Sequence, residues 1–253
     1  MKFAAGSTQL LQTVTHGVSG PSSIAFDGEG NLYVANDGQT KDVTVYSPDG
    51  RLIRTITQGI DYPGHVALDS RGNLYVANYA GPVTEYDLGL KKVTRTINAA
   101  NQAGFIMLDA HDDLYVSICG KRCMRPSVIE FAPQSKRVLR KITDGIRDSQ
   151  GLALDSAGNL FVADANYGGK HRTCYVTAYA PNRTSAYETI SSGVHDALDV
   201  AIDAADNLYV ANYKGLCNGS PDGSVTVYPA GGTTYTHKLT ESIIRPSLLM
   251  VGT

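Results

Sequence analysis

Leucine and valine alternate with tyrosine and alanine in a short run that occurs five times. The copies are Leu32-Tyr33-Val34-Ala35-Asn36, Leu74-Tyr75-Val76-Ala77-Asn78, Leu114-Tyr115-Val116-Ser117-Ile118, Leu160-Phe161-Val162-Ala163-Asp164 and Leu208-Tyr209-Val210-Ala211-Asn212. A period of two with aromatic and β-branched residues predicts a strand, with Leu and Val on one face and Tyr and Ala on the other. Both faces are apolar, so each strand must be covered on two sides, unlike a sheet with one wet face. The residues just before each run, 31, 73, 113, 159 and 207, are 42, 40, 46 and 48 apart, which is the spacing of propeller blades. Blades stacked side by side sandwich every inner strand between two neighbours.

A second apolar run ending in Asp precedes each copy: Ile24–Asp27, Val66–Asp69, Ile106–Asp109, Leu152–Asp155 and Val200–Asp203. Gly28-Glu29-Gly30, Ser70-Arg71-Gly72 and their equivalents join the two runs as tight hairpin turns. A third strand follows a loop of variable length, as in Val43–Tyr46, Val83–Tyr86, Val128–Phe131, Val176–Tyr179 and Val225–Tyr228. A more polar fourth strand such as Leu52–Thr57 completes the unit. Four strands, a to d, growing more polar outward, make one blade.

The ends of the chain fit the same scheme. Residues from Phe3 to Thr15 align with Tyr228 to Thr240, so the chain begins inside a third strand, and Arg245–Val251 falls where a first strand belongs. The expectation is an all-β, six-bladed β-propeller spanning residues 1–253 as a single domain. It has five complete four-stranded blades and a composite closing blade built from both termini. A repeat segment of a longer surface protein is the other reading of these ends.

Composition narrows the partners. The 253 residues are 42% hydrophobic and 18% charged, with net charge −2 and a pI near 6.3. There is no basic surplus of the kind that nucleic acid or anionic lipid requires, and a monomer without nucleic-acid partners is expected. No run reaches the roughly 20 apolar residues of a membrane span, and Met1–Gly6 is too poor in apolar residues for a signal peptide core.

The stretch from Pro21 to Asn36, Pro-Ser-Ser-Ile-Ala-Phe-Asp-Gly-Glu-Gly-Asn-Leu-Tyr-Val-Ala-Asn, resembles the core of an NHL repeat. The likeness extends to the wider NHL, SMP-30-gluconolactonase and streptogramin-lyase-like superfamily and covers nearly the whole chain. It implies a propeller, and it leaves function open among binding modules, sensors, lyases and lactonases. A channel-facing Glu of the gluconolactonase kind is missing, since Glu29 lies in a tight turn and Glu85 and Glu130 lie on third strands. The paired His/Glu arrangement of a lyase metal site is missing too.

The b–c loops and the connections between blades fall at one end of the blades, and the longest of them, from Ala165 and from Tyr213, mark that end, over the third to fifth blades, for function. All four cysteines, Cys119, Cys123, Cys174 and Cys217, are in these loops. They are expected to form the disulfides Cys119–Cys123 and Cys174–Cys217, which places the protein in an extracellular or periplasmic setting. A four-thiolate zinc site is the alternative. Lys121, Arg122 and Arg125, with Lys170, His171 and Arg172, form a candidate cationic patch. Tyr79, Tyr167 and Tyr213, each following a central strand, add aromatic contact area. At the channel mouth, Asn36, Asn78, Asp164 and Asn212 recur at one repeat position and are expected to satisfy loop backbone groups. His65, Asp148, His195 and Asp196 are the candidates for catalysis, with a divalent cation as the cofactor that chemistry would need. The leading expectation is a non-catalytic scaffold without a cofactor, binding a protein, peptide or glycan through the loop end. A metal-dependent lyase or lactonase is the alternative.

Overall fold

A computed structural model describes residues 2–3, 10–79, 81–87, 89, 92–99, 103–118, 126–165, 174–213, 223–240, 243, 246 and 249. Among them every element is a strand. A hairpin of β1 (Lys2–Phe3) and β2 (Leu10–Gln12) is followed by five antiparallel sheets of four strands each. The first sheet is β3 (Pro21–Phe26), β4 (Leu32–Asn36), β5 (Asp42–Tyr46) and β6 (Leu52–Ile56). The second is β7 (Pro63–Leu68), β8 (Leu74–Asn78), β9 (Val83–Tyr86) and β10 (Val93–Ile97). The third is β11 (Ala103–Leu108), β12 (Leu114–Ile118), β13 (Ser127–Phe131) and β14 (Val138–Ile142). The fourth is β15 (Ser149–Leu154), β16 (Leu160–Asp164), β17 (Tyr175–Tyr179) and β18 (Glu188–Ile190). The fifth is β19 (Ala197–Ile202), β20 (Leu208–Asn212), β21 (Ser224–Tyr228) and β22 (His237–Leu239). Within every sheet the strands lie in chain order, the arrangement of a propeller blade.

The strands divide into two compact units, residues 1–108 and 109–253. In the first unit, Tyr33, Ala35, Val43 and Val45 of one blade pack on Val66, Leu74, Val76 and Tyr86 of the next. In the second unit, Phe161, Ala163 and Val176 pack on Val200, Leu208 and Val210. The cores thus lie between blades, with the Tyr/Ala face of one central strand against the Leu/Val face of the next. This is why neither face of the motif is polar, and β8, β12 and β16 are buried along their whole length. Each fully buried Val, Leu or aromatic side chain contributes about 1.5–3 kcal/mol to that packing.

The a–b turns are built by their own sequence. Asp27, Asp69, Asp109, Asp155 and Asp203 each accept, through Oδ1, backbone N–H groups two and four residues ahead at 2.8–3.0 Å. Asn31, Asn73, Asn159 and Asn207 donate their side-chain amides back to the same carboxylates at 2.7–2.9 Å. The residue before each of these Asn has positive φ, supplied by Gly30, Gly72, Gly158 and Asp206.

Two expectations shift. First strands begin earlier than the apolar runs, at Pro21, Pro63, Ala103, Ser149 and Ala197, and four of them carry a register shift near their start. The polar or glycine-containing residues there hid this extension, because a bulged strand breaks the period of two. The N-terminal hairpin forms in the place expected for a third and fourth strand, but no inner strands pair with it among the described residues. The described residues therefore form five blades, and the sixth, closing blade is not among their sheets.

Candidate functional site

At the end of the blades that carries the b–c loops, one polar side chain in each of four blades fixes the incoming chain. Asn36 Oδ1 accepts the Ser19 N–H at 3.0 Å, Asn78 Oδ1 the Asp61 N–H at 2.9 Å, and Asn212 Oδ1 the His195 N–H at 2.7 Å. Asp164 accepts from the backbone N–H groups of Arg147 at 2.5 Å and Asp148 at 3.1 Å. The amide groups of the three Asn residues donate inward, Asn36 to Asp42 and Thr44, Asn78 to Pro82, and Asn212 to Thr226. A buried polar side chain must be satisfied in this way to avoid the cost of an unmade bond. These residues hold the loops, as their recurrence predicts.

A second pin was not foreseen from sequence. Tyr46, Tyr86, Tyr179 and Tyr228, each the last residue of a third strand, donate their hydroxyls to the carbonyls of His16, Gln58, Asp144 and Ser192 at 2.5–2.6 Å. The signal was present in the repeat, as a Tyr ending four of the five third strands. The third blade has Ile118 and Phe131 at the two positions, buried side chains that can neither accept nor donate.

Each catalytic candidate has its own surroundings. His65 lies against Phe105, ring centroids 4.7 Å apart, with its Nδ1 unpartnered among the described residues. Burial pushes its pKa down to about 4, against a smaller opposing effect of the Ile106 backbone. Asp148 is buried and accepts the Gln150 side-chain amide at 2.9 Å. Asp196, fully buried at φ +54°, offers its carbonyl to the Tyr213 N–H at 3.0 Å. His195 has an Nδ1 unpartnered among the described residues, and burial followed by the charge of Lys238 pushes its pKa down. Among the described residues no three His, Cys, Asp or Glu side chains group as metal ligands.

Cys119, Cys123, Cys217, Lys121, Arg122, Arg125, Tyr167, Lys170, His171 and Arg172 lie outside the described residues. Cys174 is buried, its Sγ 3.3 Å from the Ala165 carbonyl oxygen and 3.9 Å from Asp196 Oδ1. Tyr213 is half-buried at the exit of β20. Tyr79 is 45% exposed at the exit of β8. Beside it the structure adds two residues that sequence reasoning passed over: Tyr62, 44% exposed, and Lys41, whose Nζ stands 3.5 Å from the centroid of the Tyr62 ring. The clue lay in the repeat, because Tyr62 occupies the place of Gly20 and Asp196.

Five sheets of this kind define an all-β protein of the β-propeller class. The fold is shared with a solved structure titled hydrazine synthase from Kuenenia stuttgartiensis, which matches with a TM-score of 0.69 at 17% identity over 91% of this chain and 68% of that one. At that identity the likeness establishes the fold alone. No protein-family model and no curated protein matches the chain. Among the described residues no helix is long and apolar enough to cross a membrane.

Proposed function

We propose that this propeller is a non-catalytic scaffold that binds a protein, peptide or glycan through the end carrying its b–c loops and blade entries. One observation carries the reading. At that end the recurrent polar side chains are consumed in fixing loops, whereas Tyr62 and Tyr79 are left 44% and 45% exposed. Aromatic rings on a fixed backbone offer contact area at little entropic cost. In this reading Tyr167, Tyr213, Lys121, Arg122, Arg125, Lys170, His171 and Arg172 complete the contact set, and no cofactor is needed. A lyase or lactonase at the channel mouth is not favoured, since Asp148 is spent on Gln150 and burial keeps His65 neutral.

The reading extends to disulfides, Cys174 with Cys217 and Cys119 with Cys123, in an extracellular or periplasmic protein of the NHL-like type. It is supported by Cys174, which is buried and is not a free thiol. It also extends to a sixth, composite blade. The Val66 N–H donates to Ser23 Oγ of the preceding blade at 3.3 Å, and the Leu249 N–H donates to Asp199 Oδ2 at 2.6 Å. Ser23 and Asp199 hold the same repeat position, which supports Leu249 taking the place of Val66, just past the bulged start of a first strand.

Screening immobilised glycans and displayed peptides against the folded protein tests the scaffold. Ligands are expected whose binding is lost on Tyr79→Ala and kept on Glu29→Ala, which alters a turn at the other end. Equal loss with both variants, or turnover of a lactone that His65→Ala abolishes, overturns the reading.

A further inference from the structure

The first unit places a strained tyrosine where the repeat needs none. The residue before the first strand has positive φ in three blades: Gly20 at +59°, Tyr62 at +52° and Asp196 at +54°. Glycine takes that conformation freely and Asp tolerates it, whereas a bulky side chain is held there at a cost of about 1–2 kcal/mol. The backbone role is the same in all three, a carbonyl accepting the N–H that follows the second strand: Asp37 to Gly20, Tyr79 to Tyr62, Tyr213 to Asp196. Only the side chain distinguishes Tyr62, and it stands exposed at the surface with the Lys41 ammonium over its face. Lys41 too has positive φ, at +50°.

Tyr79 stands beside it. A Cβ on Gly64 would lie 2.6 Å from Cε2 and Cζ of the Tyr79 ring, so the ring rests on the Gly64 backbone and any larger residue there would displace it. That contact leaves much of the ring open, at 45% exposure. Partial burial and then the Asp37 carboxylate push the Tyr79 phenol above its ordinary pKa. Asp61, exposed, precedes Tyr62 in the chain. The face of an aromatic ring is its negative region, and carboxylates nearby deepen the attraction for a cation. Lys41 already demonstrates that preference on Tyr62, and no cation covers Tyr79 among the described residues.

We infer that Tyr79 docks an arginine or lysine side chain from a basic peptide segment of a partner protein, as the neighbouring Tyr62 ring takes Lys41. The inference rests on the scaffold reading above and names the partner chemistry for this part of the loop end. Tyr62 braces the platform, since its carbonyl fixes Tyr79 and its ring carries Lys41 at the border.

The test uses the full chain, isotope-labelled, titrated in low salt with acetyl-Gly-Arg-Arg-Gly-amide, with the same peptide bearing Leu for Arg, and with maltotriose. Saturable amide and ring shifts at Tyr79, Gly64 and Asp37 are expected with the arginine peptide alone. Affinity should fall at least fivefold in Tyr79→Ala, in Tyr79→Leu, which retains bulk over Gly64, and in Asp37→Asn, and weaken as salt rises. Glu29→Ala, in an a–b turn at the other end, should leave it unchanged. An equal response to the leucine peptide, a response to maltotriose instead, or no shift at Tyr79 overturns the inference. Shifts confined to other loops overturn this site and leave the scaffold reading standing, whereas binding at the a–b turns overturns both.

Discussion

At the scale of single residues, burial moves two titrating groups in opposite directions. His65 is driven down to about 4 from an ordinary 6.5, because a charged imidazole against Phe105 loses its hydration. Its neutral form contributes stability that is present above pH 6.5 and lost as pH falls through 4. Denaturant unfolding at pH 7 and pH 4.5 should show a smaller acid loss for His65→Phe than for the parent chain. Asp199 is driven up to about 7 from 3.8 by burial, against the opposing pull of the Leu249 and Val200 N–H groups. Its protonated form contributes stability that is full below 3.8 and lost as pH rises through 7. Carboxyl carbon shifts should therefore titrate Asp199 with a midpoint near 7, and a midpoint near 4 would refute the burial. Nothing in the local sequence at either residue signals this. His65 and Asp199 both sit in short polar interruptions of first strands, and their environment comes from neighbouring segments.

Within elements, the repeat supplies its own controls. The third blade has Asp113 where four others have the turn Asn, so Asp109 loses a side-chain donor and gains a like charge. Burial first, and Asp109 second, push the Asp113 carboxyl above its usual range. Asp113→Asn should restore the missing bond and stabilise the protein by about 0.5–1.5 kcal/mol in denaturant unfolding. Tyr86→Phe removes the 2.5 Å bond to the Gln58 carbonyl and should cost about 1 kcal/mol, with the greater loss of amide protection in the loop before β7. The fourth strands show a further pattern. Arg95 and Arg140 pair with Glu85 and Glu130 at 2.5 and 2.7 Å, and Arg140 also reaches the carbonyls of Ala180 and Arg183 in the next blade's c–d turn. Both members of the Arg140–Glu130 pair are buried. Arg140→Ala should cost about 3–5 kcal/mol by stranding Glu130, and Arg140→Met with Glu130→Leu should cost less than the single change. Glu85 and Glu130 are thereby accounted for as structural partners.

For the whole molecule, the proposed closing blade makes the last prediction. If residues 244–253 form a first strand over β19, deleting them should expose Asp199 to water, bring its midpoint from about 7 toward 4 and lower the melting temperature by several degrees. An unchanged midpoint would show that Leu249 is not its cover. Five blades were legible in the chain because each strand carries its own apolar period and each turn its own Asp and Gly, interactions that span at most a few residues. The loop-holding role of Asn36, Asn78 and Asn212 was legible for the same reason, since recurrence at one repeat position marks a job done in every blade. The identity of the surface was legible only in part. Tyr79 was expected at the loop end after its central strand, but Tyr62 was passed over, and what separates an exposed ring from a buried one such as Tyr75 or Tyr86 is whether the adjoining blade covers it. Likewise the neutral state of His65, against Phe105, and the raised Asp199, near Leu249, arise between segments that lie far apart in the chain. The sequence alone therefore determined strands, turns and their repetition, through short-range periodicity and turn chemistry. Only the tertiary structure decided which polar groups are spent on the fold and which side chains remain to meet a partner, because burial and charge there are set by contacts between blades.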